Sequence, residues 1–279
     1  MAPSDPFAAC EALVRNADYD RYLAGLFAPV AARPHLFALY AFNHEIAKTA
    51  ETVSQPVLGQ IRLQWWREAI EELYAGRLRA HEAVRALGEA VRVHALPRVL
   101  FDAAIDARES DLEETPFADM ASLEAYADAT SGHLMRLAAR ILGVGDTMDA
   151  AAREAGIAYA LTGSLRALPY RAARRHLMLP VDALRAKGLS QENIFAGEAS
   201  ASLTAAIVHI AEGAATHLAA ARAARAPRKF LPALLPAASV PLYLGVLTRS
   251  GFNPFRDSVD VPVFRRQFAM LGASLRGRL

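Results

Sequence analysis

The stretch GIAYALTGSLRALPYRAARRHLMLP, residues 156–180, combines a helix-forming run with an abrupt interruption. Apolar residues at a spacing of 3.6 predict a helix over 147–168. Because proline removes a backbone hydrogen bond, Pro169 ends or kinks that helix just after Leu168. Four arginines lie within ten residues that contain no acid: Arg166, Arg171, Arg174 and Arg175. We therefore expect a cationic cluster on a bend in a helical protein.

The rest of the chain is rich in the same helix-forming residue types. The 279 residues are 53% hydrophobic, and alternating β-branched runs are nearly absent. Further helices are predicted over 6–16, 18–27, 34–53, 56–75, 80–93, 96–112, 120–142, 181–187, 190–195, 201–223, 230–249 and 260–276. No connection is long enough to be a domain linker. The sequence thus predicts one all-α domain over residues 1–279.

Charge and cysteine content limit the function classes. The 31 basic residues are interspersed with 29 acidic ones, so no nucleic-acid partner is expected. A single cysteine, Cys10, excludes an internal disulfide and a cysteine-based zinc site, which is typical of a reducing compartment. The N-terminus lacks the features of a secretion signal, so we expect a cytoplasmic location.

One long apolar segment could be mistaken for a membrane span. Residues 230–248 contain no charge, which reaches the length of a transmembrane helix. Three prolines interrupt it: Pro232, Pro236 and Pro241. Since each removes a helical hydrogen bond, we predict a buried or partly interfacial segment.

Common catalytic motifs are absent from the sequence. The glycines form no phosphate-binding loop, the eight histidines have no metal-site spacing, and no G-x-S-x-G motif occurs. Any chemistry must therefore be inferred from longer patterns.

Several longer strings, read in order, resemble the squalene/phytoene synthase family over residues 18–256. They are ALYAFN at 38–43, LQWWREAIEELYAG at 63–76, IDARESDLEETPFADMASLEAYADATSG at 105–132, residues 156–180 quoted above, and YLGVLTRSGFNPF at 243–255. The resemblance implies an isoprenoid-synthase-type helical bundle around an apolar groove. It also implies head-to-head joining of two prenyl diphosphates, with Mg²⁺ held by two aspartate-rich motifs across the groove mouth.

The first of these motifs has lost its adjacent acids in this chain. The family pattern Y-A-F-C-R-x-x-D-D-x-V-D, laid on residues 40–51, puts Ala47 and Lys48 where neighbouring aspartates belong. Only Glu51 remains acidic.

The second motif has lost its acids as well. The pattern G-x-A-x-Q-x-x-N-x-x-R-D-x-x-x-D, laid on residues 156–171, gives Ala160, Gly163, Ala167 and Arg171 at its Gln, Asn and two Asp positions. Of the polar residues in the pattern, Arg166 alone is retained. Scattered carboxylates do not build a multi-metal site, so we expect no catalytic residue, no bound Mg²⁺ and no other cofactor.

The signature LRALPYxxxRRxxxLP, at Leu165 to Pro180, is similar to one branch of the family in particular. That branch includes the assembly factor of mitochondrial respiratory complex I and its bacterial relatives. The resemblance implies a degenerate enzyme whose partners are complex I subunits or assembly intermediates. It further implies peripheral contact with the inner membrane, on the matrix face in mitochondria, and an isoprenoid or lipid in the groove.

Two alternatives remain open at this stage. The chain could be a prenyl transferase in which Lys48, Arg171 and the arginine cluster replace Mg²⁺, or a carrier of isoprenoids or lipids. The residues expected to bind an anion, a lipid headgroup or an acidic partner are Arg166, Tyr170, Arg171, Arg174 and Arg175. The competing interpretation is a solvated face.

Nearby acidic and aromatic residues bear on that choice. The acids available to pair with the arginines are Asp106, Glu109, Asp111, Glu113 and Glu114. Trp65 and Trp66 are adjacent on one helix and point about 100° apart, so one is predicted in the core. The other could line the groove or a partner surface. Tyr126 and Tyr159 are predicted to pack inward.

Overall fold

The computed structural model describes residues 5–113, 117–224 and 226–279, which form helices joined by short turns and contain no strand. In chain order the α-helices are α1 (Pro6–Ala17), α2 (Tyr19–Leu26), α3 (Arg33–Ala47), α4 (Thr49–Thr52), α5 (Pro56–Tyr74), α6 (Glu82–His94), α7 (Arg98–Ala107), α8 (Met120–Ala127), α9 (His133–Ile141), α10 (Asp149–Arg166), α11 (Leu168–Ala173), α12 (Val181–Arg185), α13 (Gln191–Phe195), α14 (Ala201–Ala223), α15 (Leu231–Leu234), α16 (Val240–Leu247) and α17 (Val263–Arg276). The all-α prediction is confirmed.

Polar residues begin several of these helices. Asp5, Asp18 and Ser200 each accept a backbone N–H of the following first turn, and Asp119 forms a capping box with Ser122. Such caps satisfy N–H groups that have no partner inside the helix. The sequence therefore fixes where these helices start.

One large cluster of buried apolar residues is built around α3, which packs against α1, α6 and α9, and a second includes residues of α10 and α14. Phe42 of α3 is buried, and its ring lies edge-on to Trp66 and Phe101 at centroid distances of 5.5 and 5.3 Å. Trp65 is half-buried at the surface, where Arg79 stacks on it at 5.1 Å. One tryptophan of the pair is thus in the core, as predicted.

The helix predicted over 34–53 is divided at Lys48. α3 ends at Ala47 and α4 begins at Thr49, with Lys48 in a turn conformation (φ −73°, ψ −6°). Lys48 Nζ forms a 2.6 Å ion pair with Glu45, one turn back on the same helix. The break therefore lies at the position of the first lost aspartate-rich motif.

A π-helical turn, Asp128–Gly132, joins α8 to α9 within the single helix predicted over 120–142. It lies against α10, where the backbones come so close that a Cβ on Gly156 would sit 2.5 Å from the Cα of Gly132. Such turns re-aim side chains inside a helix and are frequent at functional sites. Here the turn directs Thr130 and Ser131 toward an internal cavity.

The helix is interrupted near Pro169, but at Ala167 rather than just after Leu168 as predicted, and the helical path continues through Pro169. α10 ends at Arg166 and α11 runs over Leu168–Ala173, with Pro169 in its first turn. Proline is tolerated there because first-turn N–H groups have no partner within the helix. The arginine-rich stretch therefore includes a second short helix.

The apolar segment after residue 227 is mostly inside the protein. Among the described residues, two stretches, Ala201–Ala223 and Arg228–Leu247, are long and apolar enough to cross a membrane. In the second, 72% of an 18-residue window is buried, and a 3₁₀ turn over Leu235–Ser239, which contains Pro236, interrupts the helix. Because buried core helices pass the same length test, this is weak support for a span, and it agrees with the predicted buried segment.

Candidate functional site

A cavity of about 250 Å³ lies between α2, α3, the π-helical turn and α10, and is called the central cavity below. Its wall consists of Ala17, Asp18, Arg21, Asn43, His44, Ala47, Arg108, Tyr126, Thr130, Ser131, Tyr159, Ala160, Gly163, Ser164, Ala167, Arg171 and Met178. The two helices that carry the degenerate motifs form opposite parts of this wall.

The structure brings most of the altered motif positions together here. Ala47 of the first motif faces the same cavity as the second-motif positions Ala160, Gly163, Ala167 and Arg171. Positions from both motifs therefore lie in the wall of one cavity.

Lys48 and Glu51 do not line the central cavity. Lys48 is directed to Glu45 instead, so its expected role beside a departing diphosphate has no geometric support. Glu51 lies on an adjoining cavity of about 200 Å³, called the outer cavity, which shares Ala47 and Arg171 with the central one.

The buried carboxylate of Asp111 lines the outer cavity and contacts three residues of the central cavity wall. Arg108 Nη1 donates to Asp111 Oδ2 at 3.0 Å and to the Tyr126 hydroxyl at 2.9 Å, and that hydroxyl donates to Asp111 Oδ1 at 2.7 Å. Arg171 Nη1 lies 3.5 Å from the same carboxylate and 3.0 Å from Nδ1 of His176. One acid thus holds two arginines.

These contacts keep Asp111 ionised. Burial alone would raise the pKa of Asp111, but the charges of Arg108 and Arg171 and the hydrogen bonds from Tyr126 and Arg108 lower it below its ordinary value. Burial raises the pKa of the Tyr126 phenol, so Tyr126 stays a neutral donor. The predicted pairing between the acidic segment and the arginine cluster is therefore present for Asp111.

The other acids of that segment behave differently. Asp106 and Glu109 pair with Arg67, at 2.8 and 2.6 Å. Glu113 lines the outer cavity, and Glu114 lies outside the described residues.

A third arginine, Arg21 of α2, also lines the central cavity. Arg21 Nη1 forms a 2.5 Å ion pair with Asp18, and its guanidinium lies 5.0 Å from the ring of Tyr159 and 5.9 Å from that of Tyr40. Burial would lower the pKa of Arg21, but Asp18 and the two phenol groups raise it overall. Tyr159 faces the cavity, as its predicted inward packing requires.

Two buried polar atoms of the cavity wall have no hydrogen-bond partner among the described residues. They are Oγ of Ser131 and Nε of Arg108. An unpaired buried polar group costs about 1–3 kcal/mol, so a polar ligand or water would stabilise this wall. With three arginines, the central cavity suits a small anion, whereas the resemblance had implied an apolar groove. The difference arises because Arg21, Arg108 and Arg171 all enter the space between the motif helices.

The predicted anion-binding residues divide into two sets. Tyr170, Arg171, Arg174 and Arg175 line the outer cavity, with Arg174 stacked 4.1 Å over Tyr170. Arg166 lies elsewhere, 3.8 Å over the ring of Tyr243. The kink at Ala167 separates Arg166 from the others, so the structure does not unite all five residues.

The carboxylates near both cavities do not fit a magnesium cluster. Asp18 is bound to Arg21, and Asp111 is bound to Arg108 and Arg171. Within the described ranges, no group of three or more His, Cys, Asp or Glu side chains is placed to hold a metal ion. Mg²⁺ requires near-octahedral oxygen ligands, which this arrangement does not offer.

The charged and polar residues of the cavity wall that sequence reasoning missed include Asp18, Arg21, Arg108 and Ser131. Asp18 is a helix cap three residues before Arg21, and that pairing is a local signal that could have been read. Arg108 and Ser131 carry no such signal. Their place in the wall depends on the turn after α7 and on the π-helical turn.

Comparison with known proteins agrees with this architecture. The family model for squalene/phytoene synthase matches residues 14–267. A mouse protein named NADH dehydrogenase (ubiquinone) complex I, assembly factor 6, is 34% identical over 254 residues, covering 90% of this chain and 76% of its own. A phytoene synthase of Thermus thermophilus is 32% identical over 200 residues, covering 71% and 66%.

Solved structures give the same fold. A dehydrosqualene synthase crystallised with a ligand superimposes with a TM-score of 0.85, although it is only 16% identical, and the match covers 97% of this chain and 96% of that one. From the family match and the shared fold, the chain belongs to the squalene/phytoene synthase family.

Proposed function

We propose that this chain acts in the assembly of respiratory complex I, the NADH dehydrogenase, and does not join prenyl diphosphates. The observation that carries the proposal is the composition of the central cavity. Ala47, Ala167 and Arg171 line it at positions where the family pattern has metal-binding aspartates. A retained fold with altered metal-binding positions supports a role other than Mg²⁺-dependent transfer.

The energetic consequence of these replacements is large. A metal ion supplies several kcal/mol of charge stabilisation to a departing diphosphate, and each ~1.4 kcal/mol changes a rate about tenfold. Arg171 adds a positive charge where the pattern has a negative one, and Asp111 is already bound to two arginines. A divalent ion would be repelled from this wall rather than bound.

Sequence similarity supports the assembly role. The family contains enzymes, such as the phytoene synthase of Thermus thermophilus, so membership alone does not decide between the two functions. The mouse relative named as a complex I assembly factor matches a larger share of the chain. The partners would be subunits or assembly intermediates of complex I. The place of action would be the inner membrane, on its cytoplasmic face in a bacterium or its matrix face in a mitochondrion.

Deleting the gene in its host tests the proposal. The expected result is a loss of NADH:quinone oxidoreductase activity in membranes, with carotenoid, hopanoid and quinone levels unchanged. Rescue by the wild-type gene is the control. Normal oxidoreductase activity with altered isoprenoids would contradict the assembly role.

A second experiment addresses the enzymatic alternative directly. Purified protein is incubated with farnesyl or geranylgeranyl diphosphate and Mg²⁺, beside an active phytoene synthase as positive control. We expect no condensation product. Formation of a condensation product that depends on Mg²⁺ would refute the proposal that this protein no longer uses the metal.

The unpaired atoms of the central cavity favour a second candidate, a carrier of an isoprenoid or lipid with an anionic head. Oγ of Ser131 and Nε of Arg108 would meet that head without a metal. Inorganic pyrophosphate with EDTA should then raise the thermal midpoint. Ser131→Ala should weaken the effect while leaving the ligand-free protein at least as stable as wild type, since it removes an unsatisfied group. An unchanged midpoint with pyrophosphate would eliminate this candidate.

A further inference from the structure

The last helix, α17, carries a line of large apolar side chains in solvent. Phe264, Phe268, Leu271 and Leu275 are 56%, 68%, 42% and 70% exposed. Their spacing of four, three and four residues places them on one side of the helix, since each residue turns the helix by about 100°. These four residues form what is called the outer stripe.

The outer stripe is not the face that attaches α17 to the protein. Met270 and Ala273, on the opposite side, are buried against α2 and α15. Arg266 on that side forms a buried ion pair with Asp20 of α2. The helix is therefore apolar on two opposite faces, and packing of this chain accounts for only one of them.

The apolar surface extends from the stripe to the end of α2. Leu26 and Phe27 are 37% and 38% exposed. Together with Leu23, Phe268 and Leu271 they line a shallow groove of about 390 Å³. None of these residues lines the central or the outer cavity, so this surface has a separate role.

Positive charge flanks the stripe, and α17 itself contains no acid. From Val261 to Leu279 the sequence contains four arginines and no acid. Arg265, Arg276 and Arg278 are exposed, and within the part of the chain that the structure describes they form no ion pair. Arg228 packs beside Gly277, which adds a further cation at this end.

We propose that the outer stripe and the end of α2 form a docking surface for a membrane that contains anionic lipids. Helices that lie in a membrane interface carry large apolar residues on one face and arginines or lysines beside it. The apolar side chains would enter the boundary between headgroups and acyl chains, and the arginines would meet the lipid phosphates. A second copy of this chain fits less well, because α17 offers no carboxylates to face the arginines.

Vesicle flotation of the full chain tests this surface. The probes are vesicles of phosphatidylcholine with and without added phosphatidylglycerol. Wild-type protein should float with the anionic vesicles and bind neutral ones much more weakly. Phe268→Ser and Leu275→Ser should each weaken binding by roughly tenfold or more.

The charge contribution is tested separately from the apolar one. Arg276→Gln and Arg278→Gln should each reduce binding about fivefold on anionic vesicles, with no effect on neutral ones. Ile61→Ser, at a position of α5 that is 61% exposed, is the matched control and should bind like wild type. All these side chains are at the surface, so thermal midpoints should stay unchanged.

Three results would overturn the proposal. The first is absence of flotation with anionic vesicles. The second is wild-type binding by both Phe268→Ser and Leu275→Ser. The third is a dimer in light scattering that Leu275→Ser converts to monomer, since the stripe would then be an interface between copies.

Discussion

Replacing Asp111 with asparagine is expected to destabilise the protein strongly, although it changes little in size. The Asp111 side chain is 4% exposed and is bound by Arg108, whose side chain is 12% exposed, and by Arg171, which is 24% exposed. The neutral amide would leave both guanidinium charges uncompensated. The amide oxygen would accept the hydrogen bond of the Tyr126 hydroxyl. The amide NH₂ group would then face Arg108 Nη1, which is also a donor, so no hydrogen bond could form there.

The magnitude follows from the burial of these groups. Removing one partner of a buried ion pair costs about 3–5 kcal/mol. Arg171 is the more exposed and distant partner, so most of the loss comes from Arg108. With an unfolding entropy of ~2.1 cal/mol/K per residue, a chain of this length loses about 5–9 °C in thermal midpoint.

Thermal unfolding near neutral pH, followed by circular dichroism, measures the effect. Asp106→Asn is the matched control, because Asp106 is 62% exposed in its pair with Arg67. Exposed pairs contribute about 0–1 kcal/mol, so this control should shift the midpoint by less than ~2 °C. Equal midpoints for wild type and Asp111→Asn, or equal losses in both variants, would refute the reasoning.

The pH dependence provides an independent check. The folded-state pKa of Asp111 lies below its ordinary value of 3.8. Its contribution to stability is therefore fully present above that value and is lost as the pH falls through the lower folded value. The difference in free energy of unfolding between wild type and Asp111→Asn should stay constant from neutral pH to about pH 5. It should become smaller only in stronger acid.

Two further predictions concern packing and pH. Gly156→Ala should cost about 1–3 kcal/mol in an unfolding assay, because the new Cβ would lie 2.5 Å from the backbone of Gly132. Gly163→Ala, where a Cβ meets nothing within 4 Å, should instead be neutral or stabilise the helix by about 0.5–1 kcal/mol; equal losses in the two variants would contradict the close approach. His35 Nδ1 lies 2.7 Å from His94 Nε2, and burial lowers the pKa of both rings. The free energy of unfolding should therefore fall as the pH decreases through 6.5. In thermal melts at a series of pH values, His94→Gln should lose less stability over this range than wild type. An equal dependence of stability on pH in both proteins would refute a role for this pair.

Helix content and most helix positions follow from local sequence. Caps such as Asp18 and Ser200 and the spacing of apolar residues act over a few residues, so they can be read directly. The break at Lys48 and the π-helical turn could not be read in this way. Both depend on how distant helices pack, which intrinsic propensity does not encode.

The candidate site was predictable in part. The motif spacing assigned Ala47 and Ala167 to two helices, and both residues line the central cavity. Spacing within a helix is enough for this, because all residues of a rigid helix keep a fixed position relative to one another. The sequence predicted that the arginines of the cluster bind together at one site. In the structure, Arg166 stacks on Tyr243 and Arg175 pairs with Glu192 at 2.6 Å, since a kink redirects side chains that are neighbours in the chain.

By itself, the sequence determined that this protein is helical and resembles the squalene/phytoene synthase family, with Ala47, Ala167 and Arg171 at positions where the family pattern has aspartates. Those properties are local, as they depend on which residue type occupies which helical position. Only the tertiary structure decided that Asp111 holds two arginines from distant segments, and that Phe268 and Leu275 face solvent. A helix with two apolar faces can bury either one, and the choice is made by the elements that pack against it.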